Sequence, residues 1–107
     1  MSTVADPDVV DIVGQYEDGR VILYIMVPRT WYDAPEQVEQ LRVKLNTYQA
    51  WIASGGCQQQ YPAAAKGVDI VTICLDEPTG EAAQLLLMAR EGLQQRGIGC
   101  YYQTAVS

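Results

Sequence analysis

The sequence predicts an α+β fold, a two-layer sandwich in which a four-stranded mixed sheet carries two helices on one face, in the order β-β-α-β-α-β. Three observations lead there. An Asp-Gly pair separates two strand-like runs near the N-terminus. Two stretches with helical periodicity follow, and each is succeeded by a further apolar run of strand length. A chain of 107 residues makes one domain and buries roughly two-thirds of the surface its unfolded form would expose. That domain is expected to span residues 1–107, with residues 1–8 flexible.

Residues 9–16, VVDIVGQY, alternate. Val10, Ile12, Gly14 and Tyr16 fall on one side and Val9, Asp11, Val13 and Gln15 on the other, as in a half-buried strand. The EDGR stretch at 17–20 then reads as a hairpin turn, because Gly19 accepts positive φ without steric cost. The second strand, 20–27, is apolar on both sides and is therefore expected to be central. Pro28, which cannot donate to a ladder, ends it.

The first helix is expected near Asp33, with that carboxylate as N-cap, Pro35 in the first turn and Glu36 where a capping box places it. Its inward stripe is Val38, Leu41, Leu45, Tyr48 and Ile52, with Trp51 beside them, and Ser54-Gly55-Gly56 stops it. Residues 57–67 show no periodicity and read as a plain connection. A third strand covers 68–75. A second helix covers 79–96, with Glu81 in its first turn, Arg90 and Arg96 toward its end and Gly97 as a left-handed cap. Its stripe of Ala82, Leu85, Leu86, Ala89 and Leu93 is widened by Leu87 and Met88. The last strand covers 98–106. Right-handed crossovers then set both helices on the same face. The other face is left partly bare, lined by Ile22, Tyr24, Met26 and Tyr101, and a bare apolar face commonly meets a second subunit or a partner.

Seven basic against thirteen acidic residues, with no His, give a formal charge of −6. That charge repels phosphate backbones and anionic lipid, so neither nucleic acid nor membrane is an expected partner; a basic protein partner or simple solubility suits it better. The apolar runs VILYIMV and LLLMA fall far short of the roughly 20 residues a bilayer requires. The start, MSTVADPDVV, lacks the pattern of a secretory signal, and a cytoplasmic location is expected. Cys57, Cys74 and Cys100 are odd in number and lack metal-ligand spacing, which argues against a disulfide framework and a zinc site. Cys74 and Cys100 lie in strand-like runs and read as buried. Cys57, in a polar loop, is expected to be exposed and able to cross-link two chains.

Without His the commonest catalytic base is missing, and no catalytic residue, metal site or cofactor is nominated. The carboxylate groups Asp6, Asp8 and Asp11, Glu17 and Asp18, and Asp76 and Glu77 sit where turns and helix starts favour acids. Gly55-Gly56 follows a helix, where a phosphate loop would precede one. Seven Tyr and two Trp with no Phe favour a partly exposed aromatic surface, since each carries a polar handle. Tyr16, Tyr24 and Tyr48 read alternatively as core or core-edge residues. In PRTWYD, at the end of the central strand, Arg29, Trp31 and Tyr32 are candidates for recognition. The rival reading packs Trp31 as a staple near Gln37 or Val38.

Asp6-Pro7-Asp8-Val9-Val10-Asp11, Trp31, Leu41, Lys44-Leu45-Asn46, Tyr48, Ser54-Gly55 and Tyr61-Pro62 together resemble the pattern of a group of short bacterial proteins forming a domain family of unknown function. The resemblance spans about residues 6–75. It departs at 26–29, where the family often ends the strand with Asp. It implies no activity, but it does imply that Trp31, Asn46, Tyr48 and Tyr61 belong to one structural cluster.

The expected function is a non-enzymatic protein-interaction module, of the kind that serves as an immunity or accessory protein in a bacterial operon, binding itself as a homodimer or another protein. The binding candidates are Arg29, Trp31, Tyr32, Tyr24 and Tyr101. The alternative is a small-molecule-binding regulatory domain with its ligand near Arg29, Trp31 and Tyr32. An enzymatic reading would have to rest on the carboxylates with Tyr or Cys.

Overall fold

The structure, a computed structural model, describes residues 12–104. The hairpin forms as the Asp18-Gly19 pair requires. Strand β1 (Ile12–Gln15) runs antiparallel to β2 (Val21–Val27), with Val13 opposite Leu23 and Gln15 opposite Val21. Tyr16 N–H donates to the Arg20 carbonyl at 2.9 Å, and Gly19 turns the chain with φ of 97°. Strand β3 (Val68–Cys74) lies parallel to β2, and β4 (Gly99–Thr104) parallel to β3, so the sheet order is β1-β2-β3-β4. Positions 9–11 and 105–106 of the predicted outer strands, and residues 1–8, lie outside the described residues.

Helix α1 (Gln37–Ala53) has its N-cap at Glu36, three residues later than the predicted cap at Asp33. Pro35 is the reason, because its ring disfavours helical backbone at Ala34. Residues 30–34 instead make a separate turn, in which Thr30 Oγ1 accepts from Asp33 N–H at 3.0 Å and the Thr30 carbonyl accepts from Ala34 N–H at 3.1 Å. Asp33 therefore caps nothing, and Glu36 occupies the N-cap without a side-chain hydrogen bond. The predicted connection after α1 is also structured. Residues Gly56–Gln60 form a short helix, α2, and Pro62–Lys66 a 3-10 turn. This segment folds back so that Tyr61 meets Trp51 edge-on, with ring centroids 6.3 Å apart. Cys57 is consequently buried in the core, where an exposed thiol was expected, and burial pushes its pKa up. The exposed-thiol cross-link is thereby ruled out for the folded chain.

The last helix, α3 (Gly80–Gln94), ends where Gly97 N–H donates to the Gln94 carbonyl and Ile98 N–H to Leu93, which turns the chain into β4. Both long helices lie on one face. Val21, Leu23, Ile25 and Val27 of β2 stand in register with Val68, Ile70, Thr72 and Cys74 of β3. Leu41, Leu45 and Tyr48 from α1 and Ala82, Leu86 and Leu93 from α3 close over them to make a single core. Leu23, Ile25, Leu41 and Ile70 are fully enclosed, and each such side chain contributes about 1.5–3 kcal/mol. Burial also raises the Cys74 thiol to about 12 and the Cys100 thiol to about 11. Among the described residues no helix is long and apolar enough to cross a membrane.

Thr72 is the polar member of the central row. It is wholly buried, and its hydroxyl has no hydrogen-bond partner among the described residues. An unsatisfied buried hydroxyl costs about 1–3 kcal/mol, while valine keeps the β-branched shape that strands favour. Thr72→Val is therefore expected to raise the free energy of unfolding in urea by about 1 kcal/mol. A measured loss would mean that the hydroxyl is bonded after all.

Candidate functional site

The end of β2 is closed. Gln37, itself buried, reaches back with its side-chain amide, accepting from Arg29 N–H at 3.2 Å and donating to the Arg29 carbonyl at 2.9 Å. Trp31 is 7% exposed and belongs to the core. Its backbone N–H donates to an Asp76 carboxylate oxygen at 3.2 Å, and its indole Nε1 donates to the Asp76 carbonyl at 3.3 Å. Trp31 thus latches the segment after β2 to the segment after β3, and too little of its ring is left for a flat ligand to stack on. The expected stacking role does not describe it. Arg29 is exposed, 3.9 Å from the Glu36 carboxylate, and Tyr32 stands 92% exposed. The three strand-end candidates are not brought together into a cleft.

The helix-free face is organised by register. Gly14, Ile22, Asp69 and Gly99 form one row across the four strands, and Tyr24, Val71 and Tyr101 lie in the next. The two tyrosines predicted for this face therefore lie on either side of Val71. The face is less bare than expected, since Ile22 and Val71 are buried and Tyr24 and Met26 half-buried. Asp69, the single charge within β3, is 8% exposed and holds this surface together. It accepts from the Tyr16 hydroxyl at 2.7 Å, and the Arg20 guanidinium stands 3.8 Å away and lies over the Tyr16 ring. A Cβ at position 99 would collide with the Asp69 carboxylate, so Gly99 is what lets β4 approach. The same site would meet the Tyr101 ring at 2.8 Å, so that ring lies back along its own strand.

On the opposite face, where α3 meets β4, a groove of about 320 Å3 is lined by Pro78, Leu86, Leu87, Arg90, Cys100 and Tyr102, among others. Its rim is apolar and open, with Leu87 59%, Tyr101 50% and Tyr102 45% exposed. The Tyr102 hydroxyl donates to the Glu77 carboxylate at 2.7 Å, which raises the tyrosine pKa. Arg90 also lines the groove, close enough for its charge to act on the Cys100 thiol. The last four residues of β4 are exposed, and no described strand pairs with its outer side. Another depression, of about 360 Å3, runs between α1 and α3, past Arg42, Asn46 and Arg96, away from any sheet edge. Among the described residues no group of three or more acidic or thiol side chains is placed to hold a metal ion.

A family of unknown function (DUF6572) matches residues 1–106. The chain belongs to this family. Membership of DUF6572 extends well past the span of 6–75 on which the resemblance was read, and takes in α3 and β4 as well. Of the four residues that the resemblance grouped together, Trp31 and Tyr48 are buried in the core and Tyr61 packs against it, whereas Asn46 is exposed on the outer side of α1. No curated protein and no solved structure matches the chain.

Sequence reading nominated Tyr101 but missed Tyr102, Leu87, Arg90 and Asp69. The signals were present: Leu87 widens a stripe that α3 needed only in part, and Asp69 is a lone acid in a β-branched run. The Asp69 hydrogen bond and the Asp69 charge favour the neutral form of Tyr16, and together with burial push its pKa up to about 12. An unfolded tyrosine titrates near about 10, so the stabilisation is complete below that pH and is lost as pH rises toward the folded value. Wild type is accordingly expected to lose more stability in urea between those two pH values than Tyr16→Phe does. Equal losses would show that Asp69 does not hold the Tyr16 proton.

Proposed function

We propose that the protein is a non-enzymatic interaction module that docks a partner protein along β4 and the adjoining α3 groove. The observation that carries this reading is the open edge strand flanked by exposed Leu87, Tyr101 and Tyr102. Edge strands are ordinarily protected by Lys, Pro, bulges or brevity, because their free backbone groups pair readily with another chain. Strand β4, GCYYQT, has no charge and no Pro. Tyrosine at such an edge supplies large contact area at low conformational cost and is enriched at interface cores. Adding a strand would satisfy the outward backbone groups, while the groove would take an apolar side chain over Leu86 and Cys100.

The small-molecule alternative draws less support, because Trp31 is buried and Arg29 and Tyr32 are exposed without enclosing a cavity between them. The interaction reading is tested by tagging the chain and asking what it retains, either another protein or an untagged copy of itself. A charge placed on the edge by Tyr101→Asp, or in the groove rim by Leu87→Asp, is expected to weaken retention at least about tenfold, which is about 1.4 kcal/mol. Both sites are exposed, so the cooperative unfolding transition should shift little. Retention unaffected by both substitutions, or no retained chain at all, would count against the proposal.

A further inference from the structure

Building on the interaction reading, we infer that the occupant of the β4 edge is a second copy of this chain, paired antiparallel across a twofold axis with Tyr101 opposite the partner's Tyr101. The two four-stranded sheets would then join into one continuous sheet of eight strands with all the long helices on the same side.

Three features favour this occupant. The first is charge. The chain carries −6 overall, so two copies repel across most of their surfaces, yet residues 97–104, GIGCYYQT, hold no charged side chain. This edge is therefore one along which a copy can approach without a facing like charge. The second is the contrast between the two edges of the sheet. Strand β1 leads into a turn crowded by charge, where Arg20 bonds Asp18 at 2.9 Å and Lys66 Nζ donates to the Asp18 carbonyl. The described residues of β4, GCYYQT, carry no such guard.

The third is self-complementarity, and it fixes the register. In an antiparallel pair, directly opposite residues point to the same face. With Tyr101 opposite its copy, the two rings meet on the helix-free face, and Cys100 lies opposite the partner's Tyr102 on the helix side. Arg90 stands by Cys100, and Glu77 is bonded to Tyr102. The twofold therefore brings Arg90 toward the partner's Glu77, and Glu77 toward the partner's Arg90, so that two opposite-charge pairs close the two ends of the interface. The neighbouring register, with Tyr102 opposite its copy, sets Cys100 opposite the partner's Thr104 and loses that match. Leu87, exposed on α3, then faces the equivalent helix of the partner across the axis.

The test is the mass of the untagged protein by light scattering, joined to site-directed cross-linking. The expected mass is twice the 11.8 kDa of the chain. Opposite positions in an antiparallel pair have Cα atoms about 4.5–5.5 Å apart, within disulfide reach. Tyr101→Cys is therefore expected to form a covalent dimer on mild oxidation. Gln103→Cys, whose copy would lie four positions away along the strand, or about 13 Å, is expected to stay single. The native cysteines are buried and do not confuse the result. Arg90→Glu should weaken the dimer about tenfold, and adding Glu77→Arg should restore it. A monomer at millimolar concentration overturns the inference, as does a dimer that cross-links through position 103 but not 101. A monomer that still retains a different protein in a Tyr101-dependent way sinks the self-pairing alone, whereas a monomer that retains nothing sinks the interaction reading with it.

Discussion

The row of Val21, Leu23, Ile25 and Val27 can be kept from water only if both long helices lie on its side of the sheet, and the rest of the architecture follows from that. These four side chains are buried together with the β3 residues in register beside them. Parallel crossovers of one hand carry α1 and α3 to the same side and lay down the strands in sequence order. The C-terminal strand therefore comes to rest at an edge. Its inner side is bonded to β3, its helix-facing Cys100 is covered by α3, and its outer side is left to whatever comes next.

The polar groups near the strand ends are spent on internal fastening. Asp76 holds the backbone and the indole of Trp31, Gln37 holds both backbone groups of Arg29, and Asp69 ties the Tyr16 hydroxyl and Arg20 to the helix-free face. The Asp76 and Asp69 bonds join segments distant in sequence, the Gln37 bonds close a local turn, and each substitutes for water at a group that burial would otherwise leave unsatisfied. The strand-end motif thus closes a turn, and the proposed contact surface is elsewhere, where Leu87, Tyr101 and Tyr102 stay exposed with no such structural duty except the Tyr102 bond to Glu77.

What could be read from the sequence was local. The hairpin at Asp18-Gly19, the stripes of both helices and the cap at Gly97 are written in neighbouring residues, and the structure follows them. The start of α1 was misplaced because three capping signals at Asp33, Pro35 and Glu36 pointed one way while the restriction that Pro35 puts on Ala34 pointed the other. The short helix α2 was missed because Gly55-Gly56 reads as an end and not as a beginning. Trp31 could not be assigned because its partner, Asp76, is 45 positions away. The groove was invisible for a similar reason. It exists only once α3 is laid beside β4, and Tyr101 and Tyr102, adjacent in sequence, point to opposite faces and serve the edge from both.

The most direct measurement is amide hydrogen exchange along β4 as a function of protein concentration. With the outer edge as a contact surface, every second amide of Gly99–Thr104 should exchange fast in dilute solution and slow by at least about tenfold as the protein is concentrated, while the inward amides bonded to β3 remain protected throughout. Outward amides that exchange equally fast at every concentration, with no other chain bound, would contradict the assignment of this edge as the place where the protein meets its partner.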